Sequence, residues 1–139
     1  MIVLDTNVVS EPLRATPDPR VIAWLDAQAV ETLYLTTILL AEIRFGIGAL
    51  PEGKRRETLH ERFEDEVVPL FARRILSFDD RASASYAGMR ANARRRGETL
   101  PEMDAMVAAI ARSNDLTVAT RDTAHFIAAG VPVLDPFAG

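Results

Sequence analysis

Two carboxylates in this chain, Glu42 and Asp104, stand where local neighbours offer nothing to neutralise a charge. Glu42 lies in ILLAEIRFGIGAL, residues 38–50, which reads as a helix with a buried apolar face. The residues three and four positions away are Ile38, Leu39, Phe45 and Gly46, and Arg44 falls on another side. Asp104 shares the oddity: one turn back stand Leu100 and Pro101, and Val107, Ala108 and Ala111 lie on its face. A helix start favours an anion by only about 0.3–1 kcal/mol. That is small beside the cost of desolvating an unpaired carboxylate. Asp5 closes the apolar run IVLD, and Asp122 follows LTVAT directly in VATRD.

Brought together, four carboxylates repel, and one or more must take up a proton unless a cation shares the site. The chain has no cysteine and two scattered histidines, so the cation implied is hard and oxygen-seeking: Mg²⁺ or Mn²⁺ rather than Zn²⁺. Such a site can activate a water and stabilise charge developing on phosphorus. Each acid also has a structural alternative. Asp5 could cap the turn into residues 7–11, Asp122 could cap the helix after it, and Glu42 could pair with a distant arginine. Glu102 reads as a capping-box member rather than a ligand. Thr6, Asn7 and Thr120 could orient carboxylates or waters, or serve ordinary turn chemistry.

The elements that must position these groups alternate along the chain. Apolar runs at 2–5, 33–37, 74–78 and 116–120, with VPVLD near the end, read as strands. Between them residues 19–29, the Glu42 segment, 51–72, 79–96 and 121–130 read as helices, the third with Leu59, Phe63, Val67 and Leu70 in register. Gly97 supplies a left-handed stop. Thr99, Pro101 and Glu102 predict a capped start to a helix running through MDAMVAAIARSN. Strands without polar alternation, separated by helices, predict an α/β fold. Its form is a three-layer α/β/α arrangement with a central, mostly parallel sheet of about five strands. Such sheets carry their sites beyond the carboxyl ends of the strands, which directs Asp5, Glu42 and Asp122 to one edge.

Composition narrows the function classes. With 139 residues and 48% apolar content, one compact unit is expected. No run approaches the roughly 18 apolar residues of a membrane span. MIVLDTNVV meets Asp5 at once without a basic leader, so no signal peptide is expected, and a reducing cytoplasm fits. A net charge of −4 argues against non-specific nucleic-acid binding through a basic surface, although Lys54–Arg56, Arg73–Arg74 and Arg94–Arg96 are local clusters. Those clusters read as solvated helix faces or as local phosphate contacts. A phosphate loop GxxxxGK[ST] and a GxSxG nucleophile turn are both absent. A haloacid-dehalogenase-like phosphatase needs a second Asp where Asn7 stands, and it shares with receiver domains a need for a lysine that Lys54 is badly placed to supply.

LDTNVVSEPLR, LAEIRFG, PEMDAMVAAIA and VATRDTAHF, in this order and spacing, resemble a PIN-domain ribonuclease. More narrowly they resemble the VapC toxins of type II toxin–antitoxin systems and their FitB-like branch. The resemblance runs through the ending VPVLDPF and implies a single PIN domain over residues 1–139. It implies metal and catalytic acids at Asp5, Glu42, Asp104 and Asp122, with the hydroxyl of the TRD motif at Thr120. These would hold Mg²⁺ or Mn²⁺ for hydrolysis of structured RNA, often transfer RNA. The implied partners are a second copy of the chain, as a homodimer, and a DNA-binding antitoxin that occludes the acidic site. Many members carry an acid where this chain has His125, and many carry Asn where it has Asp122. The alternative is a catalytically weak PIN-fold module that acts by binding RNA or a protein partner.

Overall fold

The computed structural model describes residues 1–138. Five short strands form one sheet: β1 (Ile2–Leu4), β2 (Leu33–Thr36), β3 (Ile75–Leu76), β4 (Thr117–Ala119) and β5 (Val133–Leu134). All neighbouring pairs are parallel, in the order β3-β2-β1-β4-β5. The chain builds outward from β1 to β3, then returns to the other side of β1 to lay down β4. That reversal is a topological switch point, and open parallel sheets place their sites beyond the carboxyl ends of the two strands flanking it. Register makes the junction tight, because Leu4 lies opposite Ala119, so Asp5 and Thr120 leave the sheet side by side.

Side chains alternate across the sheet, as a period of two requires. Val3, Tyr34 and Val118 face one core, and Leu4, Leu33, Leu35 and Ala119 face the other. The first core is completed by α5 (Asp80–Arg95), α6 (Glu102–Ser113) and α7 (Thr123–Ala128), through Met89, Ile110 and Phe126. The second is completed by α1 (Thr6–Ser10), α2 (Pro19–Asp26), α3 (Thr37–Gly48) and α4 (Lys54–Glu61), with Val8, Val21, Leu39 and Leu59, and by Phe63 just beyond α4. Burial on both faces explains why the strands show no polar alternation. The expected α/β/α layering is present, with a sheet that is parallel throughout.

Two helix readings change. The amphipathic stretch 51–72 is not one α-helix: α4 passes into a π segment, Arg62–Val67, and then a 3₁₀ turn, Val68–Phe71. The wider π turn delays the apolar face by one residue. Phe71 is therefore 5% exposed in the core, whereas Leu70, which helical spacing places there, is 57% exposed. Pro69, with no N–H to donate, stands in the 3₁₀ turn. The Thr99 capping box also does not form. Pro101 takes the N-cap position with extended ψ of 140° and no side-chain cap, and α6 starts at Glu102. Asp104 consequently stands in the first turn, not the second. Gly97 has φ of 70° and ends α5 as expected. No helix among the described residues is long and apolar enough to cross a membrane.

Candidate metal centre at the switch point

Asp5 is the N-cap residue of α1. Its Oδ1 accepts from the Thr6 amide at 2.9 Å, so the capping alternative is realised. Its other oxygen does something a cap does not need: Oδ2 accepts from the Thr120 hydroxyl at 2.8 Å, across the switch point. The residue is only 5% exposed. Burial pushes its pKa up from 3.8 to about 6 against the two hydrogen bonds, and the charges of Asp104 and Glu42 push the same way. Asp5 is thus a buried carboxylate whose donors are neutral and whose charged neighbours are also acids.

Glu42, half-buried on α3, accepts from the Thr6 hydroxyl at 2.9 Å. No arginine among the described residues pairs with it, and Arg44 instead makes a two-pronged contact with Glu64 at 2.9 and 3.0 Å. The alternative of a distant arginine partner does not hold. Asp104 reaches the site from the first turn of α6 and is met by His125 from α7, with Nδ1 2.5 Å from Oδ2. Asp122 is exposed and makes no capping bond to α7. It accepts from Asn7 Nδ2 at 3.3 Å, while its own amide donates to Thr120 Oγ1 at 2.9 Å.

Asn7 goes well beyond turn chemistry. Its Nδ2 lies 3.3 Å from Asp5 Oδ2, Thr120 Oγ1 and Asp122 Oδ2, and its Oδ1 accepts from the Arg121 amide at 3.0 Å. One side chain therefore joins the end of β1 to the end of β4.

Sequence reasoning missed two participants. Glu11 is 2% exposed, and its carboxylate takes the Asp18 amide at 2.9 Å together with Arg14 and Arg121. The Asp18 amide and, after it, the arginines hold its pKa below the ordinary value. Arg121 in turn stacks on Phe137, 3.8 Å from the ring centre. The only sequence sign was a glutamate followed by proline in SEPLR, which does not distinguish an anchor from a surface residue. His125 is the second: the sequence marked it only as standing where many relatives carry an acid, and gave no sign of its contact with Asp104. The arginine clusters behave largely as solvated faces: Arg95 bonds Asn92, and Arg96 bonds Glu98 and the Ala128 carbonyl.

All five expected residues are brought to the same end of the sheet, but not equally. Asp5, Glu42 and Asp104 are close enough for their charges to act on Asp5. Thr120 holds Asp5, and Asp122 stands at the rim. Among the described residues, no three acidic or histidine side chains are grouped so as to hold one ion. The donor chemistry nevertheless suits a hard divalent cation, since every candidate acid presents oxygen and the buried one has no positive partner.

A model of the PIN domain matches residues 2–131. The chain belongs to the PIN-domain family. Within it, Toxin FitB of Neisseria gonorrhoeae is 50% identical over 137 residues, covering 99% of both chains. VapC ribonuclease Y4jK of Sinorhizobium fredii is also 50% identical, over 99% of this chain and 98% of its own. The crystal structure of FitAcB from Neisseria gonorrhoeae superposes with a TM-score of 0.95 at 50% identity, over 99% of each chain. This PIN-domain chain is accordingly of the VapC and FitB toxin type.

Proposed function

We propose that this PIN-domain chain is a Mg²⁺- or Mn²⁺-dependent endoribonuclease, the toxin of a toxin–antitoxin module, acting on structured RNA such as transfer RNA. The observation that carries the reading is Asp5. A carboxylate 5% exposed, with a pKa raised to about 6 and further acids beside it, is unfavourable unless a cation joins it. Asp5, Glu42 and Asp104 would hold the ion, with Asp122 at the rim facing the incoming phosphodiester. The ion supplies a water activated for attack and a counter-charge to the phosphate in the transition state.

The chain's own groups prepare that chemistry. Thr120 and the Thr6 amide fix both oxygens of Asp5, the Thr6 hydroxyl fixes Glu42, and Asn7 sets the spacing between the β1 and β4 ends. Fixed donors of this kind keep the acids from reorganising when charge develops on the substrate. An antitoxin placing a basic side chain among these acids would neutralise them as a cation does, and so inhibit. A net charge of −4 suits a toxin whose partner supplies the DNA-binding surface.

One observation favours the rival reading of a binding module without turnover: the acids do not close on a single point. Cleavage of a transfer RNA pool by antitoxin-free protein separates the two. Discrete fragments that require Mg²⁺ or Mn²⁺ and vanish with chelator and with Asp104→Asn are the expected result. Fragments surviving Asp104→Asn at full rate would show that the acids are not the site.

A further inference from the structure

His125 lies outside the acids that the ribonuclease reading uses, yet it makes a close side-chain contact with one of them. Its Nδ1 is 2.5 Å from Asp104 Oδ2, linking α7 to α6 across 21 positions of sequence. A carboxylate can only accept, so whether the ring is neutral or cationic its Nδ1 carries the hydrogen. The ring has little freedom to leave. The next residue, Phe126, is fully buried against α6 in the core and pins the short helix that presents His125. Asp104 Oδ1 has no side-chain donor among the described residues.

We propose that His125 is a positioning residue: its Nδ1–H holds Asp104 Oδ2, fixing the carboxylate so that Oδ1 is presented to the cation shared with Asp5 and Glu42. The inference rests on the metal-site reading above and adds to it. The usual arrangement has a carboxylate orienting a ligating histidine. Here the roles are exchanged, because Asp104 stands on the acidic side and His125 behind it. Side-chain exposure agrees, at 21% for Asp104 and 44% for His125, whose remaining ring nitrogen has no hydrogen-bond partner among the described residues. Without the imidazole, Asp104 in a helix's first turn can rotate toward solvent, away from the like charges of Asp5 and Glu42. The contact therefore counters the repulsion that would otherwise scatter the acids before a cation arrives.

Two measurements on the full chain test this. The first is Mn²⁺ affinity by titration calorimetry for wild type, Asp104→Asn, His125→Ala and His125→Asn, each checked for unchanged folding by circular dichroism. Loss of an outer partner typically weakens metal binding about 10–100-fold. His125→Ala should fall in that range, and His125→Asn should recover most of the loss, because its amide nitrogen can donate from near the Nδ1 position. The second is the ring ¹⁵N spectrum of metal-free protein, simple because the chain has two histidines. His125 should show a hydrogen-bonded Nδ1–H that Asp104→Asn shifts, while exposed His60 does not move.

Equal Mn²⁺ affinity for wild type and His125→Ala overturns the positioning role, as does a His125→Asn no better than His125→Ala. A His125 ring spectrum indifferent to Asp104→Asn overturns the contact itself. Wild-type protein that binds no Mn²⁺ at all overturns the metal reading instead, and the ring spectrum then still reports whether the contact exists.

Discussion

Asp5 shows how one side chain serves folding and chemistry at once, and how the two conflict. As a cap it satisfies the first amide of α1, and as a buried anion it opposes folding whenever no cation is present. Its native pKa, about 6, lies above the unfolded value of 3.8, so the native state binds more protons between the two. Metal-free protein should therefore lose stability as pH rises from about 4 to above 6. A shift of roughly two units amounts to about 3 kcal/mol. Urea unfolding in chelator at pH 4.5 and 7.5 checks this, as the advantage of Asp5→Asn over wild type should grow by about 2 kcal/mol between the two, the rest of the effect lying below pH 4.5. An advantage independent of pH would mean that Asp5 does not titrate with folding. Glu11 has the opposite sign. Its lowered pKa contributes stability that is present above the ordinary glutamate value and lost as acid protonates it. Glu11→Ala leaves the Asp18 amide without its acceptor and should cost about 1–3 kcal/mol at pH 7. The same comparison at pH 3 should give a smaller difference.

The elements show where periodicity is a dependable guide and where it is not. α3 and α6 follow their 3.6-residue spacing because their apolar faces pack against a sheet that accepts regular helices. The segment after α4 departs from it. There the π turn steps the chain forward, and Phe71 rather than Leu70 enters the core. Phe63→Ala should cost about 3–5 kcal/mol, and Leu70→Ala should stay within about 0.5 kcal/mol, both by denaturant midpoint. A large loss at Leu70 would restore the uninterrupted helix. The start of α6 departs for a related reason. Pro101 restricts Leu100 to extended geometry, and Leu100 is buried at 5%, so a helix from Thr99 would withdraw it from the core. Moving the start to Glu102 puts Asp104 in the first turn, where the free amides of the helix end favour an anion.

At the scale of the whole molecule, the site exists because the sheet reverses its building direction between β1 and β4. Residues 5 and 120 meet there, and the hydrogen bond between them spans 115 positions. Divalent cation should accordingly act on the whole fold rather than on one loop. A ligand at 100 times its Kd stabilises the native state by about 2.7 kcal/mol. Saturating Mn²⁺ should raise the midpoint of thermal unfolding at pH 7.5, chelator should reverse the rise, and Asp104→Asn should abolish it. A rise that Asp104→Asn retains would place the cation elsewhere on the surface.

The order of the five strands and of the six longer helices between them, and the candidacy of Asp5, Glu42, Asp104, Asp122 and Thr120, were determined by the sequence alone, whereas the short helix α1 and the π and 3₁₀ turns after α4 were not. The elements depend on local quantities, apolar runs and helical spacing; Glu42 and Asp104 stood out as acids without a nearby opposite charge, Asp5 and Asp122 as acids directly after strands, and Thr120 through the family motif. The tertiary structure decided which strands are neighbours, and hence that Asn7 bridges Asp5, Thr120 and Asp122. It also decided that Glu11 is buried under Arg121, and that His125 backs Asp104. None of these pairings has a sequence signature. A hydrogen bond is set by distances of a few ångströms, and strand order, which brings such partners together from over 100 residues apart, is settled only when both faces of the sheet are packed.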